Sequence, residues 1–331
     1  MTIPVLVVAG FLGSGKTSLL NHLLHTTSGL RIGVIVNDFG RVNIDAMTIA
    51  AQVDAMVSLG NGCLCCAVDA SELDEMIGRL APAEDAPVDV IVIEASGLAE
   101  PPAMVRMVLA SDNPFITYGG LVEVVDAAEF ESTRARHPQV DNHLRYADLV
   151  LLNKIDRVDE PTRDALLDLV RGLAEGIPVV PTEHGRVDPA LLFDPVDRPE
   201  PAWRQLSFED LEEREHHVHA DYDSVDFATK DPVHPQRFAQ FLTDRPAGVY
   251  RMKGFVDFAG TDQRFTVHTV GSYVSVTTDP WPDSSRATEL VLIGADLDAE
   301  LITSALDATV EPDPAAVDQL AMVSITRYLR D

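Results

Sequence analysis

Val5-Leu6-Val7-Val8-Ala9-Gly10-Phe11-Leu12-Gly13-Ser14-Gly15-Lys16-Thr17-Ser18 is the most informative run in this chain. Its first five residues are apolar without alternation, which suits a strand covered on both faces. A helical pattern takes over at residues 17–25. Between the two, Gly10 to Thr17 fits GxxxxGK[ST]. In such a loop the backbone N–H groups and the N-terminus of the next helix cradle phosphates. Lys16 is expected to reach the β and γ phosphates of a nucleotide, and the Thr17 hydroxyl to bind Mg²⁺. Gly10, Gly13, Ser14, Gly15, Lys16, Thr17 and Ser18 therefore form the expected cradle. The bland alternative, a glycine-rich turn without a ligand, does not account for the strand before it and the helix after it.

Apolar runs of the same kind recur at residues 32–36, 88–93, 121–125, 149–152 and 177–180, with helical patterns at 72–80 and 163–174. Strands apolar on both faces that alternate with helices predict an α/β domain, a parallel sheet covered by helices on both sides. A Pro- and Asp-rich stretch, residues 186–204, then reads as a linker. Beyond it the strands are longer and alternate in polarity, at 248–258, 264–278 and 289–293, with helical patterns at 235–242 and 299–306. That change predicts a smaller α+β domain with an antiparallel or mixed sheet. The domains are drawn at 1–190 and 206–331, with a linker at 191–205.

Asn153-Lys154-Ile155-Asp156 follows the strand at 149–152. Asp156 is placed to accept two hydrogen bonds from guanine N1 and its exocyclic amino group, a pair that adenine does not offer. Asn153 is expected to meet the acceptor side of the base and brace the loop, and the Lys154 stem to cover the ring. An ordinary strand-to-helix turn capped by Asp156 is the competing reading. Glu94-Ala-Ser-Gly97 follows the strand at 88–93, where a GTPase places Asp-x-x-Gly. Glu94 then holds Mg²⁺ through water, and the Gly97 N–H senses the γ-phosphate.

The 331 residues carry 25 Lys+Arg against 53 Asp+Glu, a net charge of −28. Residues 1–190 and 191–331 each contribute −14, so the acidity is a property of the whole surface and not of a tail. Such a field disfavours nucleic acid and anionic membranes as partners. Lysine occurs at only four positions, 16, 154, 230 and 253, and two of these lie inside the nucleotide motifs. Arginine could not stand in there, because its planar fork does not fit the space of a compact ammonium. No stretch of 18 apolar residues is present, and the N-terminal apolar run ends in the glycine loop. It reads as a strand, not a leader, and a cytoplasmic location is expected.

The three cysteines, Cys63, Cys65 and Cys66, fall within four residues, between the second and third predicted strands. Disulfide scaffolds spread their cysteines over the fold, whereas a cluster suggests metal or redox chemistry. Thiolates favour Zn²⁺, Co²⁺ or Cu⁺. A reduced, buried cluster that packs as small hydrophobes is the alternative.

Gly10 to Thr17, Asn37-Asp38-Phe39-Gly40 through Asp45, Gly62 to Cys66, Glu94-Ala-Ser-Gly-Leu-Ala-Glu-Pro101 and Asn153 to Asp156 together resemble the CobW-like GTPases. These belong to the metallochaperone and metalloenzyme-maturation class. Arg251-Met-Lys-Gly254 and Arg286-x-x-Glu-Leu-Val-Leu-Ile-Gly294 resemble the C-terminal domain of that family, so the likeness spans nearly the whole chain. It implies GTP or GDP with Mg²⁺, and a transition metal (zinc by default, or cobalt) held by Cys63, Cys65 and Cys66 with Asp38. It also implies hydrolysis-linked delivery to a client metalloprotein or a cofactor-synthesis enzyme.

The chain departs from the family's Asn-Glu-Phe-Gly-Glu at Asp38 and Arg41, which shortens one carboxylate arm and replaces another by a cation. The family's long histidine-rich tract is reduced to His216, His217 and His219, for which a solvated strand start is the preferred reading. No water-positioning Gln follows Gly97, so intrinsic turnover is expected to be slow. The competing function is a regulatory or scaffolding GTPase whose nucleotide state controls client binding while the cysteines are structural. A homo-oligomer stays open.

Overall fold

A computed structural model describes residues 2–27, 30–36, 55–58, 70–83, 87–95, 100–194, 222–282, 286–313 and 317–329. The chain divides into two compact units, the second running from Tyr222 onward.

The first unit holds β1 (Ile3–Gly10), α1 (Lys16–Thr26), β2 (Ile32–Val36), β3 (Ala55–Ser58), α2 (Ala70–Leu80), β4 (Val90–Glu94) and α3 (Pro101–Leu109). It continues through β5 (Ile116–Asp126), α4 (Phe130–Arg136), α5 (Val140–Tyr146), β6 (Leu149–Asn153), α6 (Glu160–Ala174), β7 (Val179–Thr182) and α7 (Pro189–Leu192). The sheet order is β3-β2-β4-β1-β5-β6-β7, and every pairing is parallel. All residues of β2, β4 and β6 are buried, as strands covered on both faces require. Helices cover the sheet through apolar stripes at helical spacing. Leu19, Leu20 and Leu23 are buried on α1, and Leu73, Met76, Ile77 and Leu80 on α2. The sheet grows in both directions from β1, so the carboxyl ends of β1, β4, β5 and β6 meet at the point where strand order reverses. That is where an open α/β sheet binds its ligands.

Two expectations for this unit need correction. β3 has no counterpart among the predicted strands, so the cysteine segment follows the third strand of the chain and not the second. At four residues, β3 is too short to stand out as a periodic run. α3, α4 and α5 were also not anticipated; at nine, seven and seven residues they fill short connections on either side of β5.

The second unit comprises β8 (Asp223–Thr229), α8 (Pro235–Thr243), β9 (Val249–Asp257), β10 (Gln263–Val270), β11 (Tyr273–Pro280), β12 (Thr288–Gly294), α9 (Ala299–Asp307) and α10 (Val323–Thr326). Its five strands are antiparallel in the order β11-β10-β9-β12-β8. In β12 buried and less buried positions alternate, the signature of a sheet with one face on the core. Phe238, Leu242, Ile302 and Leu306 of the helices pack there against Phe227, Met252, Val256, Phe265, Leu290 and Leu292. The predicted single strand at 264–278 is a hairpin. Val270 faces Tyr273 across a two-residue turn that contains Gly271 at φ 51°. Gly-Ser is a hairpin signal, and the apolar phase shifts from Phe265 and Val267 to Val270, Val274 and Val276, but the strand-forming residues on both sides read as one run and hide the reversal.

Candidate functional site

β1 delivers Gly10 to the carboxyl edge of the sheet, and the chain turns through residues 10–15 into α1. Gly10, Gly13 and Gly15 all carry positive φ. The Ser14 N–H closes the turn on the Phe11 carbonyl at 3.1 Å. Gly15 is the N-cap of α1; no side chain caps the helix, and its first turn holds no acidic residue. The partial positive charge of the helix start is therefore offered to an anion. Lys16 is 6% exposed, and its ammonium donates to the carbonyl oxygens of Gly10 at 2.9 Å and Phe11 at 3.2 Å. Its position is thus fixed by the loop it serves.

β4 lies beside β1 with Glu94 in register with Val8, which brings the carboxylate under the loop. The Thr17 hydroxyl donates to Glu94 Oε1 at 2.9 Å. These two oxygens come from residues 77 apart in sequence, and Glu94 is 7% exposed. A hydroxyl and a carboxylate next to a phosphate cradle are hard donors that fit Mg²⁺.

β6 places Asn153 and Lys154 on the other flank. The buried Asn153 amide donates to Ser14 O at 2.9 Å, while its oxygen accepts from the Gly185 N–H at 2.9 Å and the Thr182 hydroxyl at 3.2 Å. The structure thus gives Asn153 the bracing role, tying the phosphate loop to the turn after β7. Lys154 sits at φ 63°, and its ammonium is held by Gly13 O at 2.6 Å and Asp126 Oδ2 at 2.7 Å. Those two anchors stretch its stem between the loop and β5. Asp156 follows in a short 3₁₀ turn with its carboxylate 4.0 Å from His184 Nε2.

The sequence reading missed Asp126, Thr182, His184 and Gly185. Gly185 is at φ 70°, and a Cβ there would fall 2.6 Å from the Leu19 backbone nitrogen. Only glycine lets this turn lie on α1 while its N–H reaches Asn153. The signal was available in Thr182-Glu-His-Gly185 after the last parallel strand, but that motif is too short to read alone. Glu123, buried in the middle of the apolar β5, is a further ionisable group near the loop. Gly97, Cys63, Cys65, Cys66, Asp38, His216, His217 and His219 lie outside the described residues. Among the described residues, no group of three or more His, Cys, Asp or Glu could hold a metal ion, and no helix is long and apolar enough to cross a membrane.

Comparison with known proteins agrees with this geometry. Residues 4–181 match the CobW/HypB/UreG nucleotide-binding domain, and residues 222–310 match the cobalamin synthesis protein cobW C-terminal domain. The chain is 31% identical to the zinc chaperone CobW of a Sinorhizobium species, over 93% of this chain and 97% of that protein. It is 28% identical to the zinc chaperone YjiA of Escherichia coli K12, over 92% and 97%. The crystal structure of Zn(II)-bound YjiA GTPase from E. coli is similar at 22% identity, over 94% of this chain and all of that one, with a TM-score of 0.45. The phosphate loop, the Thr17–Glu94 pair and the braced Asn153 thus stand in a chain whose two halves match two successive domains, and the protein is a member of the CobW/HypB/UreG family that carries the CobW C-terminal domain.

Proposed function

We propose that this protein is a GTP-hydrolysing metallochaperone. It binds a transition metal, zinc first, at Cys63, Cys65 and Cys66, and delivers it to a client protein or cofactor pathway as its nucleotide state changes. The observation that carries the nucleotide part is the convergence of Lys16, Thr17–Glu94 and Asn153–Asp156 on the carboxyl edge of one parallel sheet. The metal part is supported by the Cys-x-Cys-Cys sequence and by the near full-length likeness to proteins named zinc chaperones.

In this reading the N–H groups at the start of α1 and the Lys16 ammonium hold the β and γ phosphates. Thr17 directly and Glu94 through water would hold Mg²⁺, which would supply charge neutralisation at those phosphates. Water attacks the γ-phosphorus in line, the bond to the β–γ bridging oxygen breaks, and the electron pair leaves with GDP. The cysteine segment lies in the chain between β2 and β4, the strands that lead into the proposed nucleotide site, and is coupled to nucleotide state. Metal affinity then depends on nucleotide, and nucleotide affinity on metal, by the same factor.

The test is Zn²⁺ and Co²⁺ affinity by chelator competition, first with GDP and then with Mg²⁺ and a non-hydrolysable GTP analogue. Tighter metal binding with the analogue, lost in Cys65→Ser, is the expected result. Equal and weak binding in both states overturns the chaperone reading and leaves a GTPase whose cysteines are packing.

A further inference from the structure

A cavity of about 410 Å³ lies behind the phosphate loop. Phe11 and the backbone of residues 10–14 form one wall; Phe130 and Arg136 of α4 and His143 of α5 form another, and Glu123 of β5 lies within it. Thr17, Glu94, Asn153 and Asp156 do not line it, whereas Gly10, Gly13, Ser14 and Lys154 of the proposed nucleotide site do. The cavity therefore backs onto the proposed nucleotide site through the loop itself.

Glu123 is the one carboxylate in Leu121-Val-Glu-Val-Val125, in register with Ala9 on one side and Val150 on the other. It is 3% exposed. Its Oε1 is 4.0 Å from His143 Nδ1, too far for a hydrogen bond. Glu123 Oε2 and His143 Nε2 have no hydrogen-bond partner among the described residues. A carboxyl so placed is much easier to bury as the neutral acid than as the anion.

The ionisable groups around the cavity besides Glu123 are Glu129 and Arg136 by α4, His143 on α5, the Asp126–Lys154 ion pair, and Arg157. Lys16 also acts on Glu123: its ammonium lies 2.9 Å from the Gly10 carbonyl oxygen, one residue beyond Ala9, the register partner of Glu123 on β1. Burial outweighs the pull of that ammonium and pushes the Glu123 carboxyl up to about 8. Burial likewise holds His143 below its ordinary value, against the field of Glu100. Near neutral pH the pair is then a carboxylic acid beside a neutral imidazole.

We propose that Glu123 is a positioning residue for the phosphate loop: as the acid it leaves Lys16 to the phosphates, and once ionised it draws the ammonium back toward β5 and opposes the incoming anion. This rests on the nucleotide site proposed above. The direction follows from linkage. Phosphates compensate the charge of Lys16, remove its pull on Glu123 and add a negative field of their own. Glu123 therefore holds its proton more tightly in the complex than in the free protein. Nucleotide affinity is level below about pH 8 and falls above it, by at most about tenfold per pH unit for one proton.

The experiment is the Kd of a fluorescent GDP analogue measured from about pH 6.5 to about pH 8.8, below the ionisation of guanine N1. Wild-type protein is expected to lose affinity several-fold above pH 8, and Glu123→Gln to give a flat profile. A level wild-type profile, or the same slope in Glu123→Gln, overturns the proposal. Calorimetry on the wild-type protein at about pH 8.5, in two buffers of different ionisation enthalpy, does not depend on the variant. Net proton uptake on nucleotide binding is expected, and zero uptake overturns the proposal. A chain that binds no guanine nucleotide at any pH removes the nucleotide reading itself.

Discussion

Asn153 and Asp156 are three residues apart in one short motif, yet their surroundings give them different work. Both polar atoms of the Asn153 amide are engaged with the protein, at Ser14, Thr182 and Gly185. Loss of that amide would leave buried groups unpaired, so Asn153 belongs to the frame of the site. Asp156, by contrast, keeps a side chain 29% exposed, and a single imidazole approaches it at 4.0 Å. In the proposed function it is the group left to read the base. A carboxylate accepts from both guanine N1–H and the exocyclic amine, while an amide at the same place turns one acceptor into a donor. Asp156→Asn is therefore expected to weaken GDP binding by about tenfold or more, or about 1.4 kcal/mol, and to favour xanthine nucleotides, whose 2-oxo group accepts that donor. Competition of GDP and XDP for the variant and the wild-type protein measures the reversal. An unchanged preference would mean that the base is read elsewhere.

At the level of elements, the phosphate loop and its flanking strand and helix were legible because a glycine spacing, an apolar strand and a helical period all agreed. The second unit was legible as an antiparallel or mixed sheet because its strands alternate. What escaped were features that a partner strand or helix specifies. β3 is four residues long, the β10–β11 hairpin turns within one run of strand-forming residues, and Gly185 matters only because α1 lies beneath it. Gly254 shows the same limit inside a motif that was recognised. Within Arg251-Met-Lys-Gly254 it sits mid-strand in β9 at φ 154°, and a Cβ there would meet the Glu289 carbonyl oxygen of β12 at 1.9 Å. No side chain can yield, because the obstacle is the backbone of the neighbouring strand. Gly254→Ala is expected to push β9 from β12 and destabilise the second unit by about 3 kcal/mol or more. Chemical denaturation followed through a probe in the second unit, with nucleotide binding measured in parallel, checks this. A ΔΔG below about 1 kcal/mol would show that the sheet absorbs the methyl group by a small shift.

For the whole molecule the governing quantity is the charge of −28, spread over both halves of the chain. Two electrostatic effects compete, and salt separates them. Favourable pairs such as Arg31–Asp89 at 3.0 Å and Arg134–Asp141 at 2.7 Å are weakened when salt screens them. Pairs this exposed contribute only about 0–1 kcal/mol each, however. Repulsion among the unpaired carboxylates acts over the entire surface, and compaction on folding makes it worse. The screening length shortens from about 30 Å at 0.01 M to about 8 Å at 0.15 M, comparable with the spacing of surface charges, so moderate salt relieves the long-range repulsion first. Added sodium chloride is therefore expected to raise the thermal midpoint by several degrees between about 0.01 M and 0.3 M, with most of the rise below about 0.15 M. A chelator is kept in the buffer so that divalent ions cannot stabilise the fold by binding. Scanning calorimetry across the series gives the answer. A midpoint that falls with salt would mean that the ion pairs outweigh the excess charge. A rise that begins only well above 0.3 M would point to strengthened burial of apolar surface instead.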